Sequence, residues 1–385
     1  MSKGLSFFIS AGEVSGDAHA ERLVRAVMER AGASNCHFSG AAGPKMRSAG
    51  VEAVVRSDEM AVMGVAEIAA ALPMFIRAYR SLRDSAIQQK PDAAILVDFP
   101  DFNLRLARSL KKAGIPVIYY ISPQLWAWRS YRSRTIGRYV DLLLTILPFE
   151  KDWYAQRGIH HVEYIGHPLT GEVRPKMDRA AFRASHGLND ERPLVALLPG
   201  SRHGEIERHL PIILDAVDII SAKRPEIQFA IAAAGSGQLG QIKAIISRCE
   251  HIDIPIVENE TYDLISSADA AIVASGTATL ETGILGTPMV IIYRGSSLNY
   301  RLLKPLINID HYGLINLIAG QRIVRELIQN DLDPTSLSDE LLSLLEPQRN
   351  AAIREELLRA AASLGTAGAS DRAAEAILKF ISRVP

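Results

Sequence analysis

Three features of this 385-residue sequence predict an α/β protein built from two doubly wound, Rossmann-like parallel-sheet lobes facing a cleft, with helices at the C-terminus. Short apolar runs alternate with longer helical segments. The runs are continuously apolar rather than alternating, which is how strands buried on both faces of a parallel sheet read. Finally, the alternation comes as two series of similar size, separated by a charged, proline-containing stretch.

In order, the first series is SFFISA (residues 6–11), CHFSG (36–40), AAILV (93–97), PVIYYI (116–121) and DLLLTI (141–146), with segments such as 20–30 reading as crossover helices. Residues 168–192 read as the linker. The second series is LVALL (194–198), IQFAIAA (227–233), IDIPIV (252–257), AAIVA (270–274) and PMVIIY (288–293). From residue 327 the chain reads as helix, broken at GTAGAS (365–370), where Ser370 is placed to cap the last helix. The expected boundaries are 1–170 and 171–345 for the lobes, and 346–385 for helices packing across lobes or onto a dimer partner.

Composition excludes several classes. Lys+Arg and Asp+Glu are 43 each and 48% of residues are hydrophobic, so neither disorder nor a general nucleic-acid binder is expected. Cys36 and Cys249 allow no disulfide framework and no cysteine zinc site, which suits the reducing cytosol. No signal peptide is read at the N-terminus, and no run of about 18 apolar residues exists to span a membrane.

Four motifs carry chemistry. In VASGTATLE (273–281) a strand ends at Ser275 and a helix begins near Thr277. Gly276 lets backbone N–H groups approach an anion there, so Ser275, Gly276, Thr277, Ala278 and Thr279 form a phosphate cradle and Glu281 suits a ribose diol. In LLPGSRHGEIERHLP (197–211), Gly200 and Ser201 turn at a strand's C-terminal end and Arg202 supplies a cation for phosphate; Glu205 is counted with them, although it also suits the helix dipole or a simple pair with Arg202. In AGEVSGDAHAERL (11–23), Gly12 and Gly16 allow close approach and Ser15 and Asp17 offer polar contacts or plain helix caps. The G-x-G-x-x-G fingerprint of nicotinamide dehydrogenases is missing. In VDFPDFN (97–103), Asp98 at a strand's end is a natural general base for a hydroxyl nucleophile, and Asp101 reads as a helix cap. Asp-x-x-Asp departs from the Asp-x-Asp of metal-dependent glycosyl transfer, so no metal and no cofactor are expected. His167 is a second candidate base.

Two surface signals remain. Residues 60–79 (MAVMGVAEIAAALPMFIRAY) include Met63, Val65, Ile68, Leu72 and Phe75 with few charges, and read as an interfacial or acyl-contacting helix or as a buried crossover. Residues 126–138 (WAWRSYRSRTIGR) set Arg129 and Arg132 close to Trp126, which suits an anionic membrane surface or a phosphorylated ligand.

Together AGEVSGD (11–17), AVMGVAEI (61–68), PDFN (100–103), ISPQLWAWR (121–129), LPFE (147–150), IGHPL (165–169), LLPGSR (197–202), ASGTATLE (274–281) and NLIAGQRIVRELIQ (316–329) resemble the lipid-A-disaccharide synthases, in order along the chain. The resemblance implies a GT-B glycosyltransferase that is inverting and joins UDP-2,3-diacylglucosamine to 2,3-diacylglucosamine 1-phosphate (lipid X). It implies UDP on the C-terminal lobe with Asn316 near the nucleotide, and the lipid acceptor on the N-terminal lobe with Asp98 as base. It further implies peripheral attachment to the anionic inner face of the cytoplasmic membrane, and homodimers built by exchange of C-terminal helices. The competing readings are another GT-B enzyme, such as a UDP-N-acetylglucosamine 2-epimerase, and a non-catalytic lipid-binding protein on the same fold.

Overall fold

The computed structural model describes residues 4–59, 68–233, 235–247, 254–295 and 310–383. The chain divides into two compact units, residues 1–168 with 366–385, and residues 169–365.

The first unit is a seven-stranded sheet in the order β3-β2-β1-β4-β5-β6-β7, every neighbouring pair parallel. Its strands are β1 (Leu5–Ala11), β2 (Cys36–Ala42), β3 (Glu52–Arg56), β4 (Ala93–Val97), β5 (Val117–Tyr120), β6 (Leu142–Thr145) and β7 (Val162–Tyr164). The connections carry α1 (Val14–Ala31), α2 (Pro44–Ser48), α3 (Ile68–Gln89), α4 (Pro100–Lys112), α5 (Ser133–Tyr139) and α6 (Glu150–Ala155). Both faces of the sheet are covered, as the continuous apolar runs require. Phe7, Ile9 and Val97 point into one core with Leu23, Val24 and Val27 of α1, whereas Phe8, Leu96 and Tyr119 point into the other with Leu106 and Leu110 of α4.

The second unit is a six-stranded parallel sheet in the order β10-β9-β8-β11-β12-β13. It comprises β8 (Leu194–Leu198), β9 (Gln228–Ala233), β10 (Ile256–Glu258), β11 (Ala270–Ala274), β12 (Met289–Tyr293) and β13 (Glu326–Ile328), with α7 (Arg179–Ser185), α8 (His203–Lys223), α9 (Ser236–Ile246), α10 (Thr261–Ser267) and α11 (Thr277–Ile284). Relative to its own first strand, the order is the doubly wound one, with a switch point between β8 and β11. The first unit switches between β1 and β4. Ligands of such sheets collect outside the strand C-termini at these two places.

Two expectations need correction. The stretch 168–192 is not a linker: it contains α7, whose fully buried Arg183 donates to Ser267 O (2.8 Å), to Arg192 O (2.8 Å) and to Asp269 (3.0 Å). The C-terminal helices, expected to pack across lobes or onto a partner, are divided between the two units. The helix Pro347–Ala362 packs on α11 and on the helix Leu314–Ala319 in the second unit, whereas the helix Ala369–Ile381 lies on α1 in the first, with Ala373, Ala374 and Ile377 in the core shared by Leu23. Ser370 does not cap that last helix; the cap is Gly368, in left-handed backbone. β3, β7 and β13 were not predicted. Each is a short edge strand carrying a glutamate (Glu52, Glu163 or Glu326), which hides the apolar signal.

Candidate functional site

At the switch point of the first unit, β4 runs out of the sheet into Asp98 and Phe99, both in left-handed backbone (φ 45° and 52°), before Pro100 starts α4. Two such non-glycine residues in succession store about 1–3 kcal/mol each. Packing and hydrogen bonds hold them. The Phe99 ring sits among Phe75 and Phe102 and against Gly12, where a Cβ would come within 2.2 Å of the ring; the close approach expected of Gly12 is thus to Phe99. Tyr119 Oη donates to Asp98 O (2.6 Å), and the fully buried Asn103 donates to the same oxygen (2.8 Å).

The half-buried Asp98 carboxyl is pushed up to about 6, first by burial and then by the negative charge of Glu13, against a hydrogen bond from the Phe99 N–H. Near neutrality it is therefore ionised, yet a stronger base than an ordinary carboxylate. His19 and His167 are both pushed down to about 4 by burial, His19 also by Arg22 and Lys45 and His167 by His19, so both are neutral imidazoles. Ser15 is exposed and Gly16 buried in the first turn of α1. Asp17, expected to contact a ligand, is instead buried and caps α2, accepting from Lys45 N (2.9 Å) and Met46 N (3.2 Å).

The arginine-aromatic stretch lies in the same unit. Arg129 stacks on Trp128, its guanidinium carbon 4.1 Å from the ring centroid, and pairs with Asp101 (3.0 Å); Arg132 pairs with Asp101 as well. Burial would raise the Asp101 carboxyl, but Arg132 and Arg129 hold it below the usual carboxylate range. Asp101 is thus their counter-ion rather than the cap of α4, where Phe99 occupies the cap position. Trp126 donates to the fully buried Glu150 (3.3 Å), which also accepts from Leu147 N (3.0 Å) and is pushed up to about 7 by burial. Trp128 and Tyr131 are exposed, as are Leu72 and Ile76 of α3, whereas Phe75 packs into the core. Met63 and Val65 lie outside the described residues, as does the side chain of Ile68.

At the switch point of the second unit a hollow of about 600 Å³ is lined by Gly200, Ser201, Arg202 and Glu205 after β8, and by Ser275, Gly276, Thr277, Ala278 and Glu281 after β11. α11 opens on Gly276 at φ 154° with no side-chain cap, so no capping oxygen takes its first-turn N–H groups. A Cβ on Gly276 would meet nothing within 4 Å, so the space in front of the turn is open. Glu281 accepts from Tyr262 Oη (2.8 Å); burial first, then Glu172, raises its carboxyl, against that bond.

Arg202 is 85% exposed and reaches Glu205 (3.2 Å), while the carboxylate of Glu205 accepts from Ser201 N and Arg202 N. Glu205 therefore shapes the turn, and Arg202 keeps most of its donors. The turn is also braced by the buried His209: its Nδ1 lies 2.8 Å from Pro199 O and its Nε2 accepts from Arg294 N (2.9 Å), which sets the tautomer. Two expected contacts are corrected. Thr279 is buried, with its hydroxyl on Gly276 O (2.8 Å), and Asn316 is fully buried, its amide bound to Val324 O, Glu326, Ile323 N and Val324 N.

Sequence reasoning missed Arg174, Lys176, Gln238 and Tyr262, which also line the hollow. The first two lie in the stretch read as linker. The buried Asp263 pins that stretch by accepting from Lys176 N (2.6 Å) and Met177 N (2.7 Å), and Gln238 donates to Ser201 O (2.7 Å). The basic residues Arg174 and Lys176 were the only signal.

The family model described as lipid-A-disaccharide synthetase matches residues 7–380. Proteins named lipid-A-disaccharide synthase from Geobacter sulfurreducens and Syntrophus aciditrophicus are 42% and 43% identical over 376 residues, covering 97% of both chains in each case. Among solved structures, the UDP-GlcNAc 2-epimerase of Neisseria meningitidis bound to UDP-GlcNAc superposes with a TM-score of 0.61 at 13% identity, over 98% of this chain and 100% of that one. MurG of Acinetobacter baumannii gives 0.59 at 15%, over 98% and 99%. Those two likenesses concern the fold alone, which epimerases and glycosyltransferases share.

Proposed function

Since the chain belongs to the lipid-A-disaccharide synthetase family, we propose that its two units divide the family's glycosyl transfer, the first holding the acceptor beside Asp98 and the second holding the UDP-sugar. The protein is a GT-B glycosyltransferase that condenses UDP-2,3-diacylglucosamine with 2,3-diacylglucosamine 1-phosphate to the β-1′,6-linked disaccharide phosphate and UDP. What carries the division is the pair of switch-point sites: a basic carboxylate in one unit, and in the other an open turn at a helix N-terminus beside Arg202.

In the proposed step the acceptor 6-hydroxyl oxygen attacks the donor C1 as Asp98 takes its proton, and the bond from C1 to the UDP oxygen breaks with inversion. The charge growing on UDP is met by Arg202, by Arg174 and Lys176, and by the N–H groups of Thr277 and Ala278. Glu281, steadied by Tyr262, accepts from the ribose.

No described helix is long and apolar enough to cross a membrane. We place the protein on the inner face of the cytoplasmic membrane, held through exposed Leu72, Ile76, Trp128 and Tyr131 beside the local arginines. A homodimer would arise by exchange of the helix Ala369–Ile381, which here closes on α1 of its own chain.

The deciding experiment is a mass-spectrometric assay of Asp98→Ala with the two acylated glucosamine substrates. Turnover is expected to fall roughly 10²-fold or more, with UDP affinity unchanged. Near-normal turnover removes Asp98 from the role.

A further inference from the structure

We propose that Asn103 and Tyr119 are positioning residues that aim the Asp98 carboxylate by locking the peptide between Asp98 and Phe99. The proposal rests on the reading of Asp98 as the base. That peptide is flanked by two successive left-handed residues, the second of which precedes a proline and so is further restricted. Its carbonyl oxygen takes two donors from different elements, Asn103 Nδ2 of α4 at 2.8 Å and Tyr119 Oη of β5 at 2.6 Å.

The same Asn103 amide lies 3.1 Å from Val97 O and 3.2 Å from Ser10 O, while its Oδ1 accepts from Ser10 Oγ at 2.9 Å. One buried side chain thus ties the ends of β1 and β4 to the turn. Because the peptide is planar, holding its oxygen on one side directs its N–H to the other. That N–H, of Phe99, is the backbone group that holds the Asp98 carboxyl down against burial. The clamp therefore sets both the direction of the carboxylate and the donor that stabilises its ionised form. The titratable groups facing Asp98 are Glu13, from the turn between β1 and α1, and Tyr119 itself.

The test measures kcat, KM and the pH profile of Asn103→Ala and Tyr119→Phe, each also in an Asp98→Ala background. Asn103→Ala is expected to lower kcat by roughly 10- to 100-fold and Tyr119→Phe by about fivefold, with both KM values within about twofold of the parent. The acidic limb of the kcat profile should move to higher pH in both, because the Phe99 N–H no longer holds the ionised form as well. In the Asp98→Ala background neither substitution should change the residual rate by more than about twofold.

Parental kcat with an unmoved acidic limb, or equal losses with and without Asp98, would overturn the clamp. If Asn103→Ala fails to fold, Tyr119→Phe decides by the same readouts. Failure of the underlying reading looks different: Asp98→Ala alone then turns over near-normally, and the clamp falls with the base.

Discussion

The turns after β4 and after β11 occupy equivalent places, each following the fourth strand of a doubly wound sheet, yet they are built in opposite ways. After β4 the chain puts two large-side-chain residues, Asp98 and Phe99, into left-handed backbone, and surrounds them with aromatic rings and buried donors. After β11 it puts Gly276 there and leaves the space in front empty. The first solution makes a fixed, partly desolvated carboxylate. The second leaves an open hollow at a helix N-terminus. One position in one topology thus gives a basic carboxylate in one unit and an open turn at a helix N-terminus in the other, according to whether the turn is filled; the proposed function reads the first as proton acceptor and the second as anion cradle.

Filling the open turn is the most damaging way to break this contrast. Gly276→Val puts a β-branched residue at φ 154° and its side chain into the hollow, so UDP affinity measured by calorimetry should fall roughly 10²- to 10³-fold. Unchanged affinity would mean that phosphate does not sit there.

Removing charge from the filled turn should act on stability instead. Asp98 has its carboxyl pushed up to about 6, mainly by burial, so ionisation works against folding: the stability it contributes is full below about pH 4 and lost as pH rises through about 6. Asp98→Asn is therefore expected to be the more stable protein at pH 8, by up to about 3 kcal/mol, with the advantage gone at pH 4. Melting curves at the two pH values check this, and an Asp98→Asn chain less stable than its parent at pH 8 would refute the burial cost. The same titration predicts an acidic limb near pH 6 in the parent's kcat/KM profile.

The smallest effect is expected at Arg202. It is exposed and already shares Glu205, so Arg202→Ala should weaken UDP binding only about tenfold, less in high salt. A loss as large as that of Gly276→Val would mean that the arginine, rather than the helix N-terminus, dominates the cradle.

The central strands could be read from sequence because burial on both faces forces continuous apolar runs; β4, β8 and β11 fall within their predicted bounds. The edge strands β3, β7 and β13 could not, since a strand of three to five residues with a charge has no such run. Gly200, Arg202 and Gly276 could be read because they stand in the turns after buried strands, and Glu281 because it lies about one helical turn into the helix that follows. Asp17, Thr279 and Asn316 look the same in sequence as ligand contacts, but their polar atoms are satisfied by their own chain.

By itself, the sequence determined the two parallel-sheet units, their central strands and the residue types at each strand end, because apolar continuity and strand-to-helix punctuation are local. Only the tertiary structure decided which polar groups face open space and which are consumed as caps, what backbone conformation Asp98 and Phe99 adopt, and that Arg174, Lys176 and Tyr262 join the second site. Those outcomes depend on hydrogen-bond partners far away along the chain, such as Asp17 on Lys45 and Asp263 on Lys176, and on desolvation by surrounding elements, neither of which a local pattern encodes.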